Sequence, residues 1–265
     1  MTFVGTATTV LRLGPFTILT DPNFLHRGQR VYLGYGLFSK RRTEPGLQPG
    51  DLPLLSGILL SHLHGDHFDR IARDRMARDL PVVTTPQAAS TLRRWGFAGS
   101  IGLETWTSHE FLDGDDVLRI TSVPAVHGPG IVGRLLPPVM GSVVELERAG
   151  VTLSRLYITG DTIVRRHLLR GVADRYPDLD GMLIHLGGTR VLGVLISMDH
   201  RQGAEMVDLM RPSVTIPIHY DDYTVFRSSL ADFLSEVRRR GLPGEVRPVE
   251  RGDTVRLPTR VPDVR

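Results

Sequence analysis

Cysteine is absent from the 265-residue sequence, which removes disulfides, thiolate metal sites and a cysteine nucleophile together. Any metal held by this chain must therefore sit on nitrogen and oxygen donors. Also missing is an apolar run of about 18 residues, the length a membrane-spanning helix requires. The opening stretch MTFVGTATTVLRLGPF has no basic segment leading into a long apolar core, as a secretory signal would. These absences predict a soluble, cytoplasmic protein with no transmembrane segment. Lysine is nearly absent too: Lys40 stands alone among arginines. The 32 basic and 29 acidic residues leave a formal net charge of only +3, spread along the chain. Arginine bias accounts for the high isoelectric point as well as phosphate recognition would, and no nucleic-acid partner is expected.

No repeat and no low-complexity tract interrupts the chain. With 41% hydrophobic residues it can bury one large core, and a single domain over residues 1–265 is expected. Short runs rich in Val, Ile and Leu alternate with helical patterns, which argues for layered α/β structure. The strand candidates are 16–20, 56–61, 81–84, 117–126, 141–147, 156–159, 182–186 and 214–219; the helix candidates are 68–78, 86–95, 164–176, 200–210 and 229–240. Gly96 and Gly241 stand where C-terminal caps belong. The stretch 23–50 is long and Gly-rich, with Tyr32, Tyr35 and Phe38 between turn residues, and loops of that length are usually functional or mobile.

Against this background one nonapeptide stands out. SHLHGDHFD places His62, His64, Asp66 and His67 within six positions. Four apolar runs also end in a donor residue: LSGILLSH in His62, SVPAVHG in His127, LYITGD in Asp161 and TIPIHY in His219. Polar groups at the C-terminal ends of strands converge on one edge of an α/β scaffold, where loops vary while the strands hold their bases still. One centre could take His62, His64 and His127, a second Asp66, His67 and His219, with Asp161 giving an oxygen to each. Two adjacent cations can share a hydroxide, lower its pKa towards neutrality and clamp the oxygens on either side of a displacement. That chemistry belongs to a water-activating hydrolase.

The ordered set SHLHGDH (61–67), VHGPG (126–130), TGDT (159–162) and IPIHYDD (216–222), preceded by LTDPNF (19–24), resembles the metallo-β-lactamase superfamily. Within it, the combination is most similar to the branch of ascorbate-6-phosphate lactonase and N-acylphosphatidylethanolamine phospholipase D. The resemblance implies an α/β fold, a four-layer αββα sandwich of two mixed β-sheets with helices on the outer faces. It also implies a binuclear metal-dependent hydrolase that uses a metal-bridging hydroxide to cleave a small ester, lactone or phosphoester. The implied ligands are His62, His64, Asp66, His67, His127, Asp161 and His219, with Asp66 and Asp161 the catalytic carboxylates. Two divalent cations are expected, zinc by default, with manganese or iron compatible. The partner would be a small molecule, an anionic one included, and a homo-oligomer is left open. A nucleic-acid phosphodiesterase and a non-catalytic metal-binding protein are the alternatives. The first wants a basic exosite and the second a missing ligand.

Other residues carry two readings each. Asp21 is an Asx turn or an acceptor that orients a metal ligand. Asp199 is an N-cap, with or without a contact near the metals. His185 ends an apolar strand as a core histidine, or as a substrate or ligand-orienting contact. Asp221, Asp222 and Tyr223 follow His219, where they could bind substrate, fix that histidine or simply form a polar loop. The GlyGlyThrArg stretch 187–190 is an anion cradle or a turn. The segment 32–42, aromatic and carrying Lys40, Arg41 and Arg42, suits a lid over an anionic or partly apolar substrate. His26, His109, His167 and His200 have no comparable placement.

Overall fold

The computed structural model describes residues 1–34 and 36–260; Tyr35, part of the aromatic loop, lies outside them. Two mixed sheets dominate. The first runs in the order Thr2–Gly5, Thr8–Leu13, Phe16–Thr20, Gly57–Leu59, Val82–Thr84, Ser100–Gly102. The second runs Glu245–Val246, Val214–Ile218, Gly181–His185, Val151–Ile158, Gly141–Arg148, Asp116–Val123, Ser108–Asp113. The first sheet pairs Thr2–Gly5, Thr8–Leu13 and Phe16–Thr20 antiparallel and its remaining strands parallel; the second pairs the strands from Ser108–Asp113 to Val151–Ile158 antiparallel and its remaining strands parallel.

Side chains that alternate along a strand divide the apolar residues between two faces. Ile18 and Leu59 turn inward and meet Ile120, Val144, Leu183 and Ile216 of the other sheet. Their neighbours Leu19 and Ile58 turn outward against Ala72, Leu92 and Phe97. In the second sheet Met182 and Ile184 flank the inward Leu183 and pack outward on Leu169, Val207 and Phe233. The result is the expected four-layer sandwich, with the widest core between the sheets. Central parallel strands are covered on both faces, so Gly181–His185 and Val214–Ile218 are buried along their whole length, as continuous apolar runs should be.

Helices occupy Arg70–Arg75, Pro86–Arg94, Gly130–Leu135, Arg166–Arg175, His200–Met210 and Leu230–Arg240. Four of these starts follow capping chemistry: Asp69, Thr85, Asp199 and Ser229 each accept a backbone N–H of the first turn. The helix expected over 68–78 is shorter, because Asp69 caps it and Met76 already has an extended backbone. Sequence patterning missed the N-terminal hairpin and the edge strand Ser108–Asp113. The hairpin is buried at nearly every position, so it does not alternate, and the edge strand has no fully buried residue. Two small ribbons, Arg30–Tyr32 with Phe38–Lys40 and Arg190–Val191 with Val194–Leu195, rise from the long loops. Among the described residues, no helix is long and apolar enough to cross a membrane.

Candidate metal centre

The strand Gly57–Leu59 delivers the chain into the His-rich loop. There the carbonyl of His64 accepts the N–H groups of His67 (3.1 Å) and Phe68 (2.8 Å), folding the loop back before the helix at Arg70. Gly65 lets the loop pass beneath the first ribbon: a Cβ there would lie 2.5 Å from the Tyr32 carbonyl oxygen. Asp69, which sequence reasoning passed over as a site residue, caps that helix and also takes the N–H groups of Phe24 and Leu25, both at 2.6 Å. Its cue was an acidic residue at the very start of a helical pattern, where a cap belongs.

Three imidazoles meet first. His62 Nε2 lies 3.0 Å from His64 Nδ1, and His127 Nε2 lies 3.3 Å from that same atom. The far nitrogen of His127 faces the Ile196 carbonyl at 2.8 Å, which fixes the ring and its tautomer. A second group adjoins them. His219 Nε2 stands 3.5 Å from Asp66 Oδ2, while Asp161 Oδ1 is 3.3 Å from His219 Nδ1 and 3.5 Å from His67 Nε2. The donor atoms of His62, His64 and His127 lie within 4.8 Å of one another, as do those of Asp66, His67 and His219, and those of His62, His67 and Asp161. All seven sequence-derived ligands are thus in one cluster, with only His64 partly exposed.

Asp21 and His185 join from behind. Asp21 Oδ1 accepts the N–H (2.7 Å) and hydroxyl (3.0 Å) of Ser61, and its Oδ2 lies 3.4 Å from His67 Nδ1 and 3.6 Å from His185 Nε2. His185 Nδ1 faces the Thr159 hydroxyl at 3.1 Å. Asp21 and His219 both hold left-handed backbone, φ 36° and 62°, a conformation that costs of order 1–3 kcal/mol each and persists only where surrounding contacts enforce it. Here the N–H of Asp21 is tied to Leu59 and that of His219 to Thr6.

Burial dominates the electrostatics. It pushes His62 well below the usual histidine value and His64 down to about 4, and it lowers His127 and His185 too. These rings are neutral, as ligands must be. Burial would also lower His67, but the carboxylates of Asp161, Asp21 and Asp66 overcome it and hold that ring well above its usual value. Burial alone would raise Asp66 and Asp161; adjacent histidines instead hold Asp66 at about 2 and Asp161 well below its usual range.

The donor set fits a metal. Asp66 Oδ1, Asp161 Oδ1, His67 Nε2 and both ring nitrogens of His219 are buried without a hydrogen-bond partner, and orphaned buried polar atoms are rare in folded proteins. A family model for the β-lactamase superfamily domain matches residues 17–220, the span that carries every one of these donors. The chain belongs to the β-lactamase superfamily. Its fold is the metallo-β-lactamase fold. A UPF0173 metal-dependent hydrolase from Deinococcus radiodurans is 28% identical over 203 residues, which cover 76% of this chain and 80% of that protein. Among solved structures, an isothiocyanate hydrolase from Delia radicum gut bacteria superposes with a TM-score of 0.80 at 20% identity, covering 97% of this chain and 98% of that one. A possible metal-dependent hydrolase from Veillonella parvula gives 0.79 at 20% identity, covering 96% and 97%.

On this superfamily scaffold the remaining residues separate clearly. Asp199 caps its helix and pairs with Arg190 at 3.3 Å. Asp222 is fully buried, receiving the Thr6 N–H at 2.7 Å, Arg251 Nε at 2.9 Å and the Thr43 hydroxyl, and it forms an ion pair with Arg41 Nη2 at 3.2 Å. Through Thr6, whose carbonyl takes the His219 N–H, Asp222 fixes His219 rather than facing the cavity. Tyr223 donates its hydroxyl to Asn23 at 2.9 Å and packs with Leu25 and Phe226. The stretch 187–190 is no anion cradle, because the N–H groups of Gly188 and Thr189 are spent on Met198 and Ser197. The lid segment also departs from expectation. Leu33, Leu37 and Phe38 line the cavity over the cluster, but none of its three cations does. Arg41 is buried against Asp222 and Asn23, a role sequence adjacency to Lys40 and Arg42 concealed.

Proposed function

We propose that this chain is a metal-dependent hydrolase whose cluster holds two divalent cations and cleaves a small ester, lactone or phosphoester. The observation that carries the reading is the pair of donor triads meeting at Asp161, with buried atoms of Asp66, His67, His219 and Asp161 left without a hydrogen-bond partner. His62, His64 and His127 would hold one cation, Asp66, His67 and His219 the other, with Asp161 between them. Bound there, two cations would supply Lewis-acid polarisation of a substrate oxygen and an activated water. Zinc suits this nitrogen and oxygen set, and manganese or iron is compatible with its carboxylates.

The chain's own groups divide the remaining work. Asp21 and Ser61 orient His67 and His62, the Ile196 carbonyl orients His127, and Thr6 holds His219. Asp66 Oδ1, with no hydrogen-bond partner, is placed to take up a proton as the substrate bond breaks, in competition with its role as a ligand. The apolar walls exclude bulk water, which strengthens every charge interaction inside. The ordered motifs support a place in the ascorbate-6-phosphate lactonase and N-acylphosphatidylethanolamine phospholipase D-like branch. A nuclease reading lacks support, since Arg190 is the one cation among the residues lining the cavity.

The test begins with metal per chain on protein purified without chelator. The same sample is then assayed on a model phosphodiester, a panel of lactones, aryl esters and an alkyl isothiocyanate. About two metals per chain and turnover abolished in His64→Ala and Asp161→Ala are expected. Metal-free protein, or turnover that survives Asp161→Ala, would overturn the proposal.

A further inference from the structure

The cavity over the cluster has a volume of about 380 Å³. His64, Asp66, His127 and Asp161 lie on one side of it, and the other walls are almost wholly aliphatic or aromatic. The single charged wall residue, Arg190, is already paired with Asp199. The apolar wall continues outward: Phe38 is 63% exposed and Leu192 99% exposed, yet both line the cavity. Large apolar side chains displayed at a mouth mark a surface that something apolar covers.

Leu192 carries a second clue. It sits at the tip of the ribbon Arg190–Val191/Val194–Leu195 with φ 49°, followed by Gly193 at φ 82°. Both central turn residues have positive φ, the geometry that asparagine or aspartate before glycine adopts at least cost. A leucine there strains the backbone and exposes an apolar side chain to water, so its presence needs a role beyond the turn itself.

We infer that the substrate carries an uncharged aliphatic or aryl chain, which lies along the cavity walls and is covered at the mouth by Phe38 and Leu192 while its reactive group faces the His/Asp cluster. This assignment rests on the hydrolase reading for the reactive group alone. The chain-binding cavity stands on the walls. At roughly 30 Å³ per water-sized group the cavity accommodates about a dozen non-hydrogen atoms, too few for a nucleotide or a two-chain lipid, and its apolar walls favour a medium-chain molecule over a sugar phosphate.

The experiment uses the metal-loaded full chain and three homologous series: p-nitrophenyl esters, alkyl-substituted γ-lactones and alkyl p-nitrophenyl phosphodiesters, each with chains of about 2 to 12 carbons. On whichever head group turns over, kcat/KM rises about fourfold per added methylene, equivalent to ~0.8 kcal/mol, and levels off when the cavity is full. Calorimetry with 1-decanol, which needs no turnover, shows saturable binding with a negative heat-capacity change. Leu192→Asn, which suits the turn, keeps or raises the melting temperature and keeps the metal content of the parent, but flattens the chain-length series and weakens decanol binding. Turnover independent of chain length, with no decanol binding, overturns the substrate class and leaves the hydrolase reading intact. Decanol binding without turnover on any head group supports the cavity assignment and refutes the hydrolase reading. A Leu192→Asn variant that alters only the oligomeric state, with the series unchanged, assigns the mouth to a second copy of the chain and overturns the inference.

Discussion

Asp222→Asn isolates the buried ionic knot behind the cluster. The Asp222 and Arg41 side chains are both fully buried as an ion pair, and Asp222 Oδ1 accepts from Arg251 and Thr43 while Oδ2 takes the Thr6 N–H. An asparagine must turn its NH2 either towards the two guanidinium groups or towards the Thr6 amide, so neither orientation satisfies the knot. One unsatisfied buried donor costs about 1–3 kcal/mol. Leaving Arg41 without a compensating charge brings the total to about 3–5 kcal/mol, the usual penalty for breaking a buried pair. In a chain of this size that is a drop in melting temperature of roughly 6–20 °C. Circular dichroism on chelator-treated protein measures it apart from any metal contribution. Because the Thr6 carbonyl holds the His219 N–H at 2.8 Å, metal per chain should also fall towards one. A melting temperature within about 2 °C of the parent would refute the energetic reasoning.

Gly65→Ala would set a Cβ 2.5 Å from the Tyr32 carbonyl oxygen and from Val31 Cγ2. Backbone cannot rotate away, so the ribbon bearing Leu33 and Phe38 must lift, at about 1–3 kcal/mol; a drop in melting temperature of roughly 2–12 °C with weaker 1-decanol binding is expected, and unchanged values would refute it. The pH dependence of chelator-treated protein follows from the histidines. His62, His64, His127 and His185 are all lowered by burial, so their contribution is complete above the unfolded value near 6.5 and is lost as pH falls towards the folded value, about 4 for His64. His67 is raised and acts in the opposite sense, full below about 6.5 and lost above it. Four groups against one predict a lower melting temperature at pH 5.5 than at pH 7.5; equal or reversed values would sink that balance. Removing metal should itself lower the melting temperature, by the equivalent of about 2.7 kcal/mol for each site that was filled at 100 times its dissociation constant. Titration of zinc back into stripped protein checks it.

Strand ends were the most legible feature of this sequence, and the reason is physical. A parallel strand covered on both faces reads as an unbroken apolar run, so the first polar residue after it marks both the end of the strand and the edge of the sheet. His62, Asp161 and His219 were visible on that ground. Asp199 and Ser229 were legible as caps or helix starts because capping is local. Long-range pairing was not. Nothing in the local sequence distinguishes Arg41, buried with Asp222, from the exposed Lys40 beside it, and the run of three cations suggested an anion-binding lid that the cavity lining does not contain. The contact of Asp21 with both His67 and His185 likewise depends on two strands from different sheets meeting. The glycines of 187–190 promised free amides, and only the partner segment at 197–198 shows those of Gly188 and Thr189 occupied.

The division of the chain between its sheets has a consequence for assembly. Every strand of one sheet precedes Leu103 and every strand of the other follows Thr107. Each donor triad draws on both halves: His62 and His64 await His127, while Asp66 and His67 await His219. Neither half alone could chelate a cation fully, so ion capture and the docking of the two layers would be one linked equilibrium. The ion would work as a rivet across the seam, and a chain nicked between residues 103 and 107 would hold together most firmly when loaded.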